Sequence, residues 1–114
     1  MLVYNATKSI NICDAEEAST FLSRAVGLTF RKKLEQNKGL LIKFFLGSNS
    51  VHSFFLRFPI DLIFISKDLR VVDLKTLKPW RAYSPKKQCE WVLEVNEGKI
   101  KEKSIGIGDV LEFR

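Results

Sequence analysis

One short stretch of the chain carries three side chains that could bind or act on a ligand. His52 is the only histidine, and its imidazole could serve as a general base or as a pH-sensitive ligand contact. The alternative is a histidine at a strand start that binds a backbone carbonyl. Arg57 lies four residues before Asp61. Their charge-assisted pair could close a sheet edge, or it could hold the guanidinium rigidly for a carboxylate, a phosphate or a sugar hydroxyl.

Two further groups extend this set of candidates. Arg24 lies near the end of a predicted helix, where it would offset the helix dipole, whereas Arg31 lies beyond that end and could share an anion site with Arg57. Trp80 and Arg81 occupy the most basic, turn-rich stretch of the chain. An aromatic ring beside a guanidinium can stack on a base or a sugar ring. Trp80 could instead cap the core.

Catalytic and metal sites find little support in the sequence. One histidine and two distant cysteines, Cys13 and Cys89, fall short of the usual three or four metal ligands. Neither a nucleophile elbow nor a glycine-rich phosphate loop is present. Glu90 and Glu94 could contribute to a pair of catalytic carboxylates, but both are predicted to lie on a solvent face. We therefore expect no cofactor and no metal, and we favour a binding domain over an enzyme. A hydrolase centred on His52 is kept as an alternative.

The charge of the chain is unevenly distributed. The net charge is +6 over 114 residues, a length that predicts one domain spanning residues 1–114. Basic side chains dominate residues 31–43 and residues 67–87. Such segments are either solvated loops or an attractive surface for an anionic partner. Nucleic-acid binding through these two segments is therefore a second hypothesis.

The periodicity of the sequence predicts a mainly β fold with one helix. Asp14 and Glu17 have the spacing of a capping box, and the apolar positions that follow predict an amphipathic helix over about residues 15–26. Strands are predicted at 2–5, 9–13, 40–46, 51–58, 60–65 and 70–74, in the alternating run 89–95, and at the end of the chain. Many short strands separated by turns predict a small antiparallel sandwich or barrel, mainly β or at the margin of α+β.

Several landmarks then fall in a familiar order. They are Arg24-x-x-Gly27-Leu28-x-x-Arg31-x-x-Leu34, Gly39-Leu40-Leu41, His52-x-Phe54-Phe55-Leu56-Arg57-Phe58-Pro59-Ile60-Asp61-Leu62-Ile63-Phe64-Ile65, Pro79-Trp80-Arg81, Val92-Leu93-Glu94-Val95-Asn96-x-Gly98 and Gly108-Asp109-x-Leu111. This set resembles the prokaryotic family known as domain of unknown function 192, over nearly the whole chain. The resemblance implies a small β-rich barrel or sandwich with a helix near its N-terminus, and it brings no assigned activity. The chain departs from the usual family pattern at Thr29, Leu56 and Ser66.

These observations favour a domain that recognises a small anionic or polyhydroxylated, saccharide-like ligand. The expected site comprises Arg24, Arg31, His52, Arg57, Asp61, Trp80 and Arg81. No signal-peptide pattern and no apolar stretch of membrane-spanning length occurs in the sequence. The expectation is a cytoplasmic protein with reduced thiols, and the mature form of an exported protein is the alternative.

Overall fold

The computed structural model describes residues 1–18, 36–44, 50–53 and 56–114. Strands account for most of the regular structure. They are β1 (Leu2–Asn5), β2 (Ile10–Ala18), β3 (Lys38–Lys43), β4 (Val51–His52), β5 (Ile60–Ile65), β6 (Val71–Leu77), β7 (Ala82–Tyr83), β8 (Trp91–Asn96) and β9 (Leu111–Phe113). One short helix, α1 (Lys99–Glu102), lies between β8 and β9. The predicted mainly β class is confirmed.

Seven of these strands form one curved sheet, in the order β6-β5-β8-β3-β2-β1-β9. Its two edges meet at one end, where Arg70 bridges Val110 and the Val71 amide donates to the Asp109 carbonyl at 2.9 Å. The sheet therefore curls into a partly open barrel. A separate two-stranded sheet pairs β4 with β7, with His52 opposite Ala82.

The strand β5 shows why the interior divides into two cores. All six of its residues are buried, because both faces of the sheet are covered at this point. Ile63 and Ile65 face an inner core that receives side chains from most of the curved sheet. Ile60, Leu62 and Phe64 face an outer core, which also contains buried residues from the segment around β4. A strand covered on both faces reads as a continuous apolar run rather than an alternating one.

The outer core positions the small sheet. Val51 of β4 and the buried Leu56 and Phe58 belong to this core. The Tyr83 ring of β7 packs on Phe64, with 5.7 Å between ring centroids. The small sheet and its connecting turns are thus anchored by apolar contacts to the outer face of β5.

The prediction of a helix over residues 15–26 is wrong at its start. Asp14 does not cap a helix, because its carboxylate binds the N-terminal ammonium at 3.0 Å and Lys38 Nζ at 2.8 Å. Residues 15–18 continue β2, which pairs with both β1 and β3 and keeps Ala15 buried. Pairing of residues 15–18 with β3, together with the hydrogen bond from the Ala15 amide to the Met1 carbonyl, outweighs the local helical preference. Residues 19–26 lie outside the described residues.

The sheet is also less regular than predicted. The β2–β3 pairing is parallel, so the sheet is mixed rather than antiparallel throughout. Glu94 was predicted to face solvent, yet its side chain is fully buried, because β8 lies between β3 and β5 and both of its faces are covered. Cys89 joins the outer core, while Leu93 and Val95 join the inner one. The alternation predicted over residues 89–95, which would place Cys89 on the same face as Leu93 and Val95, is therefore wrong for Cys89, which precedes β8.

Candidate functional site

The turn that connects β6 to β7 is held in place by one buried serine. Ser53 is fully buried, and its hydroxyl donates to the Lys78 carbonyl and accepts from the Arg81 amide at 2.9 Å. Its backbone amide donates to the Arg81 carbonyl at 2.8 Å, and its carbonyl accepts from the Trp80 amide at 3.0 Å. These bonds fix the backbone of residues 78–81 against β4. The turn is therefore a rigid element, although its side chains point outward.

Trp80 occupies an unusual position in this turn. Its φ angle is +62°, a left-handed conformation that is rare for a bulky residue and costs roughly 1 kcal/mol or more. Its side chain is nevertheless 55% exposed. Residues held in sparsely populated backbone conformations cluster at active sites and ligand clamps. The predicted alternative, in which Trp80 caps the core, does not agree with this exposure.

Beside the turn lies a groove of about 240 Å³. Its described walls come from the end of β6, the turn and β7. They are Lys75, Thr76, Leu77, Lys78, Arg81, Ala82 and Tyr83. The three cationic side chains are all exposed. The sequence predicts two of the elements of this site, Arg81 and the neighbouring Trp80.

Asp73 holds the Tyr83 wall of the groove in place. Its carboxylate accepts a 2.6 Å hydrogen bond from the Tyr83 hydroxyl and a 3.1 Å hydrogen bond from the Lys86 amide. Burial alone would raise the pKa of Asp73, but these hydrogen bonds lower it below its ordinary value. The bond to Asp73 in turn raises the pKa of Tyr83 to about 12. The Tyr83 hydroxyl therefore stays protonated and directed at Asp73.

The neutral donors of the groove are already engaged. The Tyr83 hydroxyl donates to Asp73, and the Thr76 hydroxyl donates to Asp61 at 2.7 Å. The remaining side-chain donors belong to Lys75, Lys78 and Arg81, and Arg81 Nη1 donates to the Trp80 carbonyl at 3.3 Å. Lys75 Nζ lies 5.3 Å from the centre of the Tyr83 ring. No carboxylate or side-chain amide is found among the described walls, although the carboxylates of Asp73 and Asp61 accept hydrogen bonds from two of those walls.

The other predicted site residues are distributed unequally. His52 is half-buried and lies opposite Ala82, a wall of the groove. Arg57 is exposed. Arg24 and Arg31 lie outside the described residues. The structure therefore brings His52, Trp80 and Arg81 to one region, through the pairing of β4 with β7 and the hydrogen bonds of Ser53.

Asp61 has a different environment from the one that its spacing to Arg57 suggests. It is almost completely buried, and its carboxylate accepts hydrogen bonds from the Gly98 and Ile100 amides, both at 3.0 Å, as well as from Thr76. These three bonds join β5 to β6 and to the start of α1. Asp61 thus stabilises the fold, and it does not pair with Arg57.

Sequence reasoning missed Ser53, Lys75 and Lys78 as individual residues. The two lysines belong to the basic segment 67–87, whose charge provides the only sequence signal for them. Ser53 carries no signal, since its importance arises from backbone groups of residues 78–81, which are distant in sequence. A close approach of this kind is a property of the fold rather than of a motif.

A second polar cluster lies at the end of the barrel. Asp109 is buried and accepts hydrogen bonds from Asn5 Nδ2 at 2.8 Å, the Gly106 amide at 2.9 Å and Lys8 Nζ at 2.9 Å. Burial alone would raise the pKa of Asp109, but these bonds together lower it. Lys8 Nζ also binds the Ser104 carbonyl at 2.8 Å. Every partner in this cluster comes from the protein itself.

The thiols and the carboxylates form no metal site in the part of the chain that is described. No group of three or more His, Cys, Asp or Glu side chains comes together there. Burial raises the pKa of Cys13 to about 12 and that of Cys89 to about 11. Both thiols are therefore protonated near neutral pH. None of the helices formed by the described residues is long and apolar enough to cross a membrane.

Solved structures share this architecture. The chain superposes with a TM-score of 0.85 on a protein of unknown function from Novosphingobium aromaticivorans, at 24% identity over 98% of this chain and 83% of the other. A putative transcription regulator from Sinorhizobium meliloti gives a TM-score of 0.83 at 22% identity, over 97% and 89% of the two chains. At these identities the likeness concerns the fold alone.

Sequence comparison gives the family. Residues 3–113 match the model of domain of unknown function 192, described as "Uncharacterized ACR". A UPF0127 protein of Pyrococcus furiosus is 38% identical over 96% of this chain and 95% of its own length. One of Pyrococcus abyssi is 34% identical over 98% and 97%. The match covers nearly the full length, as the resemblance in the sequence implied, and the chain belongs to the DUF192 (UPF0127) family.

Proposed function

We propose that this domain binds a small anionic ligand in the groove between β6 and β7. The observation that carries the proposal is the convergence of Lys75, Lys78 and Arg81 on one depression whose described walls contain no carboxylate. Cationic side chains on a folded surface usually face carboxylates or lie dispersed in solvent. Three on one concave surface attract an anion, and charge-assisted hydrogen bonds can hold it.

The hydrogen-bonding inventory favours an anion over a neutral saccharide. A sugar hydroxyl both donates and accepts, so its recognition requires protein acceptors as well as donors. The hydroxyls of Thr76 and Tyr83 already donate to Asp61 and Asp73, and the described walls offer no carboxylate or side-chain amide as an acceptor. Lysine and arginine only donate. The three cationic donors therefore suit the charged oxygens of a phosphate, sulfate or carboxylate group, which accept hydrogen bonds.

The arrangement gives less support to a hydrolase at His52. Ser53 is the adjacent nucleophile candidate, but its hydroxyl is fully buried and donates to the Lys78 carbonyl. Neighbouring residues on a strand also point to opposite faces. The contribution of Ser53 is therefore to shape the turn beside the groove.

The test is a calorimetric titration with inorganic phosphate, sulfate and a neutral disaccharide at constant ionic strength. Phosphate should bind, and Lys78→Gln should weaken it about tenfold, since a hydrogen bond to a charged group contributes roughly 1.5 kcal/mol or more. Lys101→Gln is the matched control, because Lys101 is exposed on α1 and does not line the groove. Equal weakening by both variants would indicate a general effect of net charge and would refute anion binding in the groove.

Nucleic-acid binding is the second candidate, and one observation favours it. All seven basic side chains of residues 67–87 are exposed, including Lys67, Arg70, Lys86 and Lys87, which do not line the groove. A strand that contacts several of them would show an affinity that falls steeply with salt. The test measures oligonucleotide affinity at two salt concentrations for wild type and for a Lys86→Gln/Lys87→Gln variant. Unchanged affinity in both comparisons would exclude this candidate.

A further inference from the structure

We infer that the groove selects a dianionic phosphoryl group, of the kind that a phosphate monoester carries. This inference rests on the proposed function, because it requires that the groove bind an anion. It goes further by separating anions with two charges on one group from anions with a single charge. Three features of the groove support it: the charge of its walls, the ordering of two of its cations, and its size.

The cationic side chains of the groove are not neutralised by ion pairs. In the part of the chain that the structure describes, none of the three pairs with a carboxylate. The same basic segment forms such a pair elsewhere, since Arg70 Nε lies 3.4 Å from an Asp68 carboxylate oxygen. Lys75, Lys78 and Arg81 therefore keep their charge available to an ion from solution.

Two carboxylates lie behind the walls and weaken the positive potential without cancelling it. Asp61 and Asp73 are buried and accept hydrogen bonds from Thr76 and Tyr83, respectively. The charge of Lys86, which does not line the groove, acts on Asp73 and contributes to lowering its pKa. Because Lys86 offsets one of the two carboxylates, the three cations of the groove exceed the one that remains.

Two of the cations are partly ordered before a ligand arrives. Lys75 Nζ lies 5.3 Å from the centre of the Tyr83 ring, within the range of a cation–π contact, and this ring packs on Phe64. Arg81 Nη1 donates to the Trp80 carbonyl at 3.3 Å, and the guanidinium keeps further N–H donors for a ligand. Side chains that are already positioned lose less conformational entropy on binding.

The size of the groove makes these charges act on the same ion. Its volume of about 240 Å³ lies below the roughly 300–1,000 Å³ of pockets that enclose drug-sized molecules, and the Debye length is about 8 Å at physiological ionic strength. A second charge on the bound group is therefore attracted by every cation. Carboxylates, sulfate esters and phosphate diesters carry one charge per group, whereas a phosphate monoester carries nearly two at neutral pH.

The experiment compares methyl phosphate with dimethyl phosphate by calorimetry at pH 8 and constant ionic strength. The two probes differ by one methyl group, and only methyl phosphate carries a second charge. Methyl phosphate should bind about tenfold more tightly, because water and salt keep the gain from each cation small. Inorganic phosphate shows whether the free ion or the ester is preferred, and either preference would support a dianionic phosphoryl group.

A change of pH tests the charge of the probe directly. The second pKa of a phosphate monoester is about 6, so methyl phosphate carries mainly one charge at pH 5. Its affinity relative to that of inorganic sulfate should therefore fall about fivefold from pH 8 to pH 5. Sulfate stays dianionic and reports any titration of the protein, including that of His52 opposite Ala82. The pKa of Tyr83 is about 12 and that of Asp73 is lowered, so neither group changes its charge in this range.

Two double variants locate the preference. Lys75→Gln/Lys78→Gln should reduce the preference for methyl phosphate over dimethyl phosphate from about tenfold to about twofold. Lys67→Gln/Lys87→Gln is the matched control, because it removes two exposed charges of the same basic segment that do not line the groove. Thermal melting of each variant controls for folding. An equal loss of preference in both variants would overturn the assignment to the groove.

The outcomes separate this inference from the proposal beneath it. Equal affinity for methyl phosphate and dimethyl phosphate would overturn the dianion assignment and leave the anion groove standing. No binding of any probe, inorganic phosphate included, would overturn both. Tighter binding of dimethyl phosphate would overturn the assignment in favour of a phosphate diester, the group that forms a nucleic-acid backbone.

Discussion

The barrel end and the groove both concentrate charged side chains, but they use them differently. At the barrel end, Asp109 is buried and surrounded by protein donors from Asn5 and Lys8. In the groove, Lys78 and Arg81 are exposed and face no acidic residue among the described walls. The donors and acceptors of the first cluster bind one another, whereas the proposed function assigns an anion from solution to the second.

This difference separates residues that stabilise the fold from residues that are available to a ligand. A buried polar group must find its partners within the protein, because leaving it unpaired costs roughly 1–3 kcal/mol. An exposed cation is hydrogen-bonded to water, so the absence of a ligand costs the protein little stability. Substitutions in the two regions should therefore separate stability from binding.

The largest effect is expected at the barrel end. Asp109→Ala leaves the buried Asn5 amide and the Lys8 ammonium without their acceptor, and it should destabilise the protein by about 3 kcal/mol. Thermal unfolding should show a decrease in Tm of about 10 °C, with phosphate affinity unchanged below the transition. Glu97→Ala, in an exposed turn, is the control and should leave the Tm in place. A loss of phosphate binding in folded Asp109→Ala would show that the barrel end contributes to binding as well as to stability.

Ser53 connects the two regions and should affect both properties. Ser53→Ala removes the hydrogen bonds to the Lys78 carbonyl and the Arg81 amide, and it should cost about 1–2 kcal/mol of stability. Because the turn loses its fixed geometry, phosphate affinity should fall severalfold as well. Ser50→Ala is the control, since among the described residues the Ser50 hydroxyl bonds the exposed Ser84 hydroxyl and not the turn. Stability loss without any change in affinity would show that the turn does not shape the groove.

A smaller effect is expected from the buried thiols. Since burial raises the pKa of Cys13 to about 12 and that of Cys89 to about 11, their contribution to stability is fully present below about pH 9. It should be lost as the pH rises toward those values. Denaturant unfolding at pH 8 and pH 10 measures the loss. Rapid reaction of both native thiols with a disulfide reagent at pH 8 would contradict the packing described here.

The smallest effect is expected at Asp14, whose exposed carboxylate forms ion pairs with the N-terminal ammonium and with Lys38. Hydrogen bonds from Lys38 and then from the N-terminal ammonium lower the pKa of Asp14 to about 2. The corresponding stability is present above about pH 4 and is lost as the pH falls toward 2. Because the carboxylate is solvent-exposed, Asp14→Asn should change the Tm only slightly. Comparing the acid unfolding of this variant with that of the wild type tests whether ionised Asp14 stabilises the protein. A variant that is more sensitive to acid than the wild type would refute this contribution.

The sequence predicts the strand content well, because alternation and apolar runs report local burial. The run Ile60–Ile65 is a buried strand in the structure as predicted, and residues 67–68 form the turn of its hairpin with β6. The predicted helix start at residues 15–18 is wrong, because pairing of these residues with β3 determines their conformation. Local spacing contains no information about such neighbours.

The site was only partly predictable for the same reason. Trp80 and Arg81 could be selected by residue type, since an aromatic ring beside a guanidinium suggests stacking. Asp61 was selected by its spacing to Arg57, but its actual partners include Gly98 and Ile100, which follow it by more than 35 residues. Long-range hydrogen bonds of this kind decide which polar residues are already satisfied, and they appear only in the folded structure.

The most direct test of the groove is a phosphate titration followed by amide chemical shifts, with ionic strength held constant by sodium chloride. We expect saturable shifts confined to residues 75–83, with residues 104–110 at the barrel end unaffected. The same titration of Lys78→Gln should require about tenfold more phosphate to reach half-saturation. Shifts centred on the cationic residues 99–103, or the absence of saturable shifts, would contradict the claim that the groove binds anions.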